Sequence, residues 1–350
     1  MSVPDRRSSM PRLRSSLVSA HRAQRRALVL GSAAALALPL TVRAAARKRL
    51  VVAGPLASIS YPLMNMVDRG ELADLAEQVE FVSWKDPDQL RLLAIEGKAD
   101  FVAMPTNVAA NLYNRGVKLA LLNVMTWGVL WVISRKPGPM TLADLKGQEL
   151  LVPFRGDMPD IVLQLLAARE GMDLRNEVKL RYVGSPLDAM QMLLMRQADH
   201  ALLAEPAAAL ALRKTKSFPL STVAPELHRA IDIQAEWGRV LKRAPQMPQA
   251  GLCVLGPALQ DEPLRGRIQQ ACAKALADCE AAPDACATDV VRHVPQLVAP
   301  AVADSIRIDN AHFETAKAAR SEIEFFFQQL LERQPRLIGG ALPGDAFYGG

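Results

Sequence analysis

Two stretches of this chain carry one alternation of apolar and polar positions. Residues 90–107, LRLLAIEGKADFVAMPTN, and residues 189–206, AMQMLLMRQADHALLAEP, each read as an amphipathic helix, a polar turn, an Ala-Asp pair and a short apolar strand. Leu90, Leu93 and Ala94 share one helix face, and Ala189, Met192 and Leu193 share the other, at the i, i+3, i+4 spacing of a half-buried helix. Asp100 and Asp199 stand 199 − 100 = 99 positions apart.

The flanking segments keep that offset. Residues 49–53 predict a strand closed by Gly54-Pro55, then a helix through Met64 to Asp68 capped by Ser58 or Ser60. Residues 78–83 predict a second strand, Asp86 or Asp88 caps a helix over 89–96, and Phe101–Met104 forms a third strand. In the second copy, strands are expected at 149–153, at 178–183 and up to Ala204. Asp157 caps a helix through Leu163 to Arg169, and a second helix spans 187–195. Two βαβαβ units in register predict an α/β fold of two lobes, each a mostly parallel sheet flanked by helices. A cleft follows, with ligands expected beyond the carboxyl ends of the strands.

Between the units, residues 117–134 predict two strands and a crossing, with Thr126-Trp127-Gly128 at a strand end; Lys118, Asn123 and Gly128 argue against a membrane span. Residues 207–250 read as helices and loops, 250–257 as a strand crossing back, and 262–331 as almost wholly helical with Phe325, Phe326 and Phe327 packing. The expected plan is 1–46 as an export segment, 47–134 as lobe 1, 135–250 as lobe 2, 251–335 as a return to lobe 1 and 336–350 as a surface tail.

Charge sharpens this plan. The chain is +6 overall, but residues 1–46 hold eight arginines and one acid, so 6 − 7 leaves −1 for the rest and no nucleic-acid partner is expected. The arginines end at Arg25-Arg26, an uncharged Ala/Leu-rich run follows to Thr41, and small residues at 44–46 offer a cleavage site. That order is an export signal and predicts a periplasmic protein without a lipid anchor. The twin arginine points to export of the folded chain, and Gln24 keeps ordinary secretion open. The four cysteines all lie late in the chain, and Cys279 and Cys286 are spaced for a disulfide across a short loop. No metal spacing is present and no cofactor is expected.

The chain resembles the extracytoplasmic solute-binding proteins of ATP-driven (ABC) importers, in the nitrate, sulfonate, taurine and thiamine-precursor group. The resemblance rests on the export segment, Leu145-Lys-Gly-Gln148, the paired Ala-Asp turns, Ala204-Glu205-Pro206 and the ending Ile338-Gly-Gly through Leu342-Pro343 to Phe347-Tyr348. It covers about residues 49–350 and implies a type II periplasmic binding protein fold. Two crossing segments would join the lobes, and a small polar organic solute clamped between them would pass to a membrane permease. A monomer is expected. A periplasmic sensor or partner subunit of the same fold is the alternative. An enzyme of pyrimidine or menaquinone-precursor synthesis is less favoured, because those are cytosolic and the five histidines are scattered, with His200 early in a strand. No catalytic residue is assigned.

The loops after the strands supply the candidate ligand contacts: Pro55, Ser58, Trp84, Thr106, Asn107 and Trp127 from the first lobe, and Phe154, Arg155, Gly184, Ser185 and Glu205 from the second. Trp84 and Trp127 either sandwich a flat ligand or pack in the core. Glu205 either accepts from an amine or amide or caps the helix behind Pro206. Arg155 either pairs with a carboxylate or sulfonate or stands on the surface. Asp157 and Glu205 argue against a small bare anion.

Overall fold

The structure is a computed structural model that describes residues 1–2, 47–218, 220–223, 226–309 and 311–349. Apart from Met1 and Ser2, the expected export segment lies outside the described residues.

Eleven strands form two sheets among the described residues: β1 (Arg47–Pro55), β2 (Ala76–Trp84), β3 (Phe101–Pro105), β4 (Leu119–Thr126), β5 (Leu130–Ser134), β6 (Glu149–Pro153), β7 (Lys179–Val183), β8 (His200–Ala204), β9 (His228–Asp232), β10 (Ala250–Leu255) and β11 (Ala311–Thr315). The first sheet has the order β11-β4-β10-β3-β1-β2 and the second β7-β6-β8-β5-β9. Within each, the duplicated strands run parallel: β1 pairs with β2 and β3, and β6 pairs with β7 and β8. Their apolar runs are buried on both faces, as in Leu50, Val52 and Ala53 of β1 and Leu150, Leu151 and Val152 of β6.

The antiparallel strands follow from how the chain crosses. β1, β3, β4, β6 and β8 all end at the cleft, so a strand entering a lobe from the cleft must run the other way. β5 does so, pairing Leu130 with Ala204 at the carboxyl end of β8. β10 does so in return, pairing Ala250 with Pro105 and with Thr126. The chain therefore leaves the first sheet at Thr126, and the lobe boundary expected at 134 falls eight residues earlier, because β5 already belongs to the second sheet.

Three further expectations are corrected. β9 and β11 were not anticipated: HRAID and AHFET are short, polar and without a clean alternation, and their burial is partial. The segment 251–335 does not return to one lobe alone. Helices Pro283–His293 and Ala299–Ile308 share a core with Tyr61 and Met64 of the first lobe and with Leu193 and Leu203 of the second. The tail is no surface strand of turns, since Ile338 and Phe347 are fully buried and Tyr348 nearly so. The Phe347 ring meets those of Tyr113 and Phe327, and Asn111 and Asn114 donate to the carbonyls of Arg336 and Ile338, which pins the tail to the first lobe.

Cys279 and Cys286 are joined as a disulfide. The loop expected between them is a single residue, Ala282, between helices Glu262–Ala281 and Pro283–His293.

Candidate functional site

The two crossings run side by side. Met247 N–H donates to the Trp127 carbonyl at 2.9 Å, and Gln249 N–H donates to the Thr126 carbonyl at 3.0 Å. Gln234, at the start of the helix behind β9, accepts from Leu130 N–H at 3.0 Å. Gly128 makes that approach possible: its φ is +142°, and a Cβ there would stand 1.7 Å from Gln234 Cγ. The hinge region is thus hydrogen-bonded into one narrow waist.

Beyond the carboxyl ends of both sheets lies a cavity of about 430 Å³, within the usual size for small-molecule sites. Six helices begin at its wall: Ser60–Asp68, Pro87–Glu96, Thr106–Asn114, Met158–Arg169, Pro186–Leu194 and Ala207–Lys216. Their first-turn N–H groups make the wall slightly electropositive. Most of the remaining surface is apolar, with Trp84, Met104, Leu130, Phe154, Met158 and Leu187 prominent.

Six of the candidate residues line this cavity: Pro55, Ser58, Trp84, Phe154, Ser185 and Glu205. Trp84 is 6% exposed and its indole N–H donates to the Ala103 carbonyl at 3.2 Å, so it presents a ring and no free donor. The Ser58 hydroxyl is buried and has no partner among the described residues. Phe154 holds φ +56°, unusual for an aromatic residue and a conformation that costs about 1–3 kcal/mol where it occurs. Ser185 caps its helix by accepting from Asp188 N–H.

Glu205 resolves its two readings toward the helix. Its carboxylate accepts from Ala209 N–H at 3.0 Å and pairs with Arg229 Nη2 at 2.6 Å, with the side chain fully buried. Burial pushes its pKa up, and Arg229 opposes that push. Asp157 begins the helix Met158–Arg169 without a side-chain capping bond and instead pairs across the cleft with Arg91 of helix Pro87–Glu96 at 2.7 Å. Both acids are therefore neutralised, and the argument they supplied against an anionic ligand falls away.

The other five candidates do not line the apolar cavity. Thr106 is fully buried, its hydroxyl donating to the Pro248 carbonyl at 2.7 Å. Trp127 is a core residue, 1% exposed, stacked on His312 at 4.5 Å and donating to the His312 carbonyl. Gly184 precedes Ser185 without facing the space. Asn107 and Arg155 line a separate cavity of about 610 Å³ on the far side of the Arg91–Asp157 pair. Two features escaped the sequence. Arg229 lies on the unanticipated β9, so nothing suggested a partner for Glu205. The apolar wall residues Leu130, Met104 and Leu187 were not among the candidate contacts.

His200 begins β8, is 1% exposed, and neither ring nitrogen has a partner among the described residues. Burial, then the charge of Lys136, lowers its pKa from the ordinary histidine value. The folded state therefore takes up this proton less readily than the unfolded chain. Stability should fall as pH drops below the unfolded value of about 6.5 and stop falling once the folded group titrates. Denaturation of the wild type at pH 7.5 and 5.5 should show this loss, and His200→Leu should reduce it. Identical pH dependence in both proteins would refute the assignment.

Among the described residues, no three or more His, Cys, Asp or Glu side chains gather to hold a metal ion, and no helix is long and apolar enough to cross a membrane.

Known structures share this architecture. An ABC transporter from Parabacteroides distasonis matches with TM-score 0.71 at 21% identity, covering 86% of this chain and 98% of that one. The periplasmic aliphatic sulphonate binding protein SsuA from Escherichia coli matches with TM-score 0.63 at 14% identity, covering 85% and 93%. The periplasmic nitrate-binding protein NrtA from Synechocystis PCC 6803 matches with TM-score 0.63 at 12% identity, covering 82% of each chain. No protein-family model matches the chain, and no curated protein matches it. The likenesses establish the fold: two α/β lobes in the arrangement of periplasmic binding proteins of ABC importers.

Proposed function

We propose that the chain is an exported solute-binding protein that takes a small organic molecule into the cavity between its lobes and passes it to the permease of an ATP-driven importer. The observation that carries this reading is the cavity of about 430 Å³ at the carboxyl ends of both sheets, walled by residues of both lobes. Closure then needs only that ligand favours the closed form, about a waist of two hydrogen-bonded crossings. Where the sequence suggested a small polar organic solute, the apolar lining favours a ligand with a substantial apolar body and a single polar group. Ser58 and the helix N-termini would meet a carbonyl, sulfonate or carboxylate, and the Trp84 and Phe154 rings would cover the apolar part.

Native mass spectrometry of the purified chain should show a retained small molecule. Thermal-shift screening of alkyl and aryl sulfonates, amino acids and pyrimidines should raise the melting temperature by roughly 5–10 °C at about a hundred times the dissociation constant. Ala57→Trp, which places a ring in the cavity from a surface loop, should abolish the shift. No bound mass, and a melting point unmoved by every compound, would sink the proposal.

A further inference from the structure

The second cavity is built from charge. Six arginines line it: Arg91, Arg115, Arg155, Arg175, Arg333 and Arg336. Its acids are Asp157 and Asp160, so the lining carries a formal 6 − 2 = +4. Residues 47–350 as a whole carry −1, by the subtraction of the terminal +7 from the total of +6. The concentration is therefore local, and it is not balanced locally either.

Both acids are already engaged. Asp157 holds Arg91, which Asp88 also contacts at 3.1 Å. Asp160 is 1% exposed and turned inward, accepting from Gly156 N–H at 2.8 Å, Gln164 Nε2 at 2.6 Å and the Tyr182 hydroxyl at 3.2 Å. No acidic side chain pairs with Arg115, Arg155, Arg175 or Arg333 among the described residues. The Arg155 guanidinium instead lies 5.0 Å over the Tyr182 ring, which fixes it without neutralising it. Partial desolvation at the cavity edge first, then the neighbouring Arg175 charge, lowers the pKa of Arg333, against the opposing charges of Asp160 and Asp173. Asn107 completes the wall, 3% exposed and with a side-chain oxygen that has no partner among the described residues.

Guanidinium groups present planar forks that match carboxylate and phosphoryl oxygens in pairs. These forks come from separate segments: the helix Pro87–Glu96, the end of helix Thr106–Asn114, the loop after β6, the helix Leu174–Glu177 and the C-terminal region. A monovalent ion could engage one or two of them, whereas an anion with several oxyanion groups could bridge the set.

We propose that this cavity is a second binding site, distinct from the apolar cleft, for a small multivalent oxyanion bearing at least two phosphoryl or carboxylate groups. Because Arg91 and Arg115 belong to the first lobe and Arg155 and Arg175 to the second, the bound anion would span both.

Isothermal titration of the full chain with pyrophosphate and, separately, citrate at matched ionic strength tests the site. Saturable one-to-one binding of either is expected; preference for one assigns phosphoryl or carboxylate chemistry. The double variant Arg175→Ala/Arg333→Ala, both exposed positions, should weaken it at least tenfold with the melting temperature of the free protein kept. Ala57→Trp should leave it intact, so failure of the cleft reading and failure of this one are separable. Binding unaffected by the double variant, binding reproduced by chloride at equal ionic strength, or binding of oligoglutamate with neither small anion bound would each overturn the proposal.

Discussion

Glu205→Ala should destabilise the protein by about 3–4 kcal/mol, measured as a fall in the free energy of denaturant unfolding. The carboxylate is fully buried at the end of β8 and does two things: it neutralises Arg229 at 2.6 Å and satisfies Ala209 N–H at 3.0 Å. Removing it leaves a guanidinium that is only 21% exposed, resting on the Trp131 ring at 5.3 Å and without its ion-pair partner. An unpaired, mostly buried charge accounts for most of the loss, and a lost helix cap adds about 1 kcal/mol. Glu205→Gln should lose less, because an amide oxygen can still accept from Ala209. In Glu205→Leu/Arg229→Met both charges go together, and most of the stability should return. A double variant no more stable than Glu205→Ala would show that the pair is not the source of the effect.

This pair also marks where the sequence stopped being legible. The helices and parallel strands were readable because each lobe needs the same packing, and a repeated apolar pattern at a fixed offset leaves few other solutions. Asp86 was foreseeable as a cap and accepts from Asp88 and Gln89 N–H. Glu205 was foreseeable as a residue at the cleft, but its role depends on β9, which pairs with β5 through a segment of weak alternation. Trp127 shows the converse failure. It sits at a strand end, where ligand contacts are expected, yet His312 from the end of the chain covers it. Contacts made across nearly two hundred residues leave no local pattern. The same holds for the arginine cavity, whose members are scattered from Arg91 to Arg336 and come together only in the folded chain.

Gly251→Ala should cost about 4 kcal/mol or more and leave most of the chain insoluble on expression. Gly251 lies in β10, the returning strand at the centre of the first sheet, between β3 and β4. A Cβ there would stand 1.8 Å from the Asn123 carbonyl oxygen and 2.9 Å from its carbon, so the obstacle is backbone that cannot rotate away. The register shifts on both sides of this position, between Ala250 and Gly251 and between Leu252 and Cys253. The Asn123 side chain fills the irregularity by accepting from Leu252 N–H at 3.2 Å. Parting the strands to admit a methyl would break that bond and disturb Gln249 and Ala250, which end the second crossing at the cavity wall. Gly266→Ala makes the control: nothing lies within 4 Å of that Cβ, and inside helix Glu262–Ala281 the change should stabilise by about 0.5–1 kcal/mol. Equal denaturation midpoints for Gly251→Ala and the wild type would mean that the sheet can open where the returning strand enters, and that the close approach of β10 to β4 does not hold the waist between the lobes.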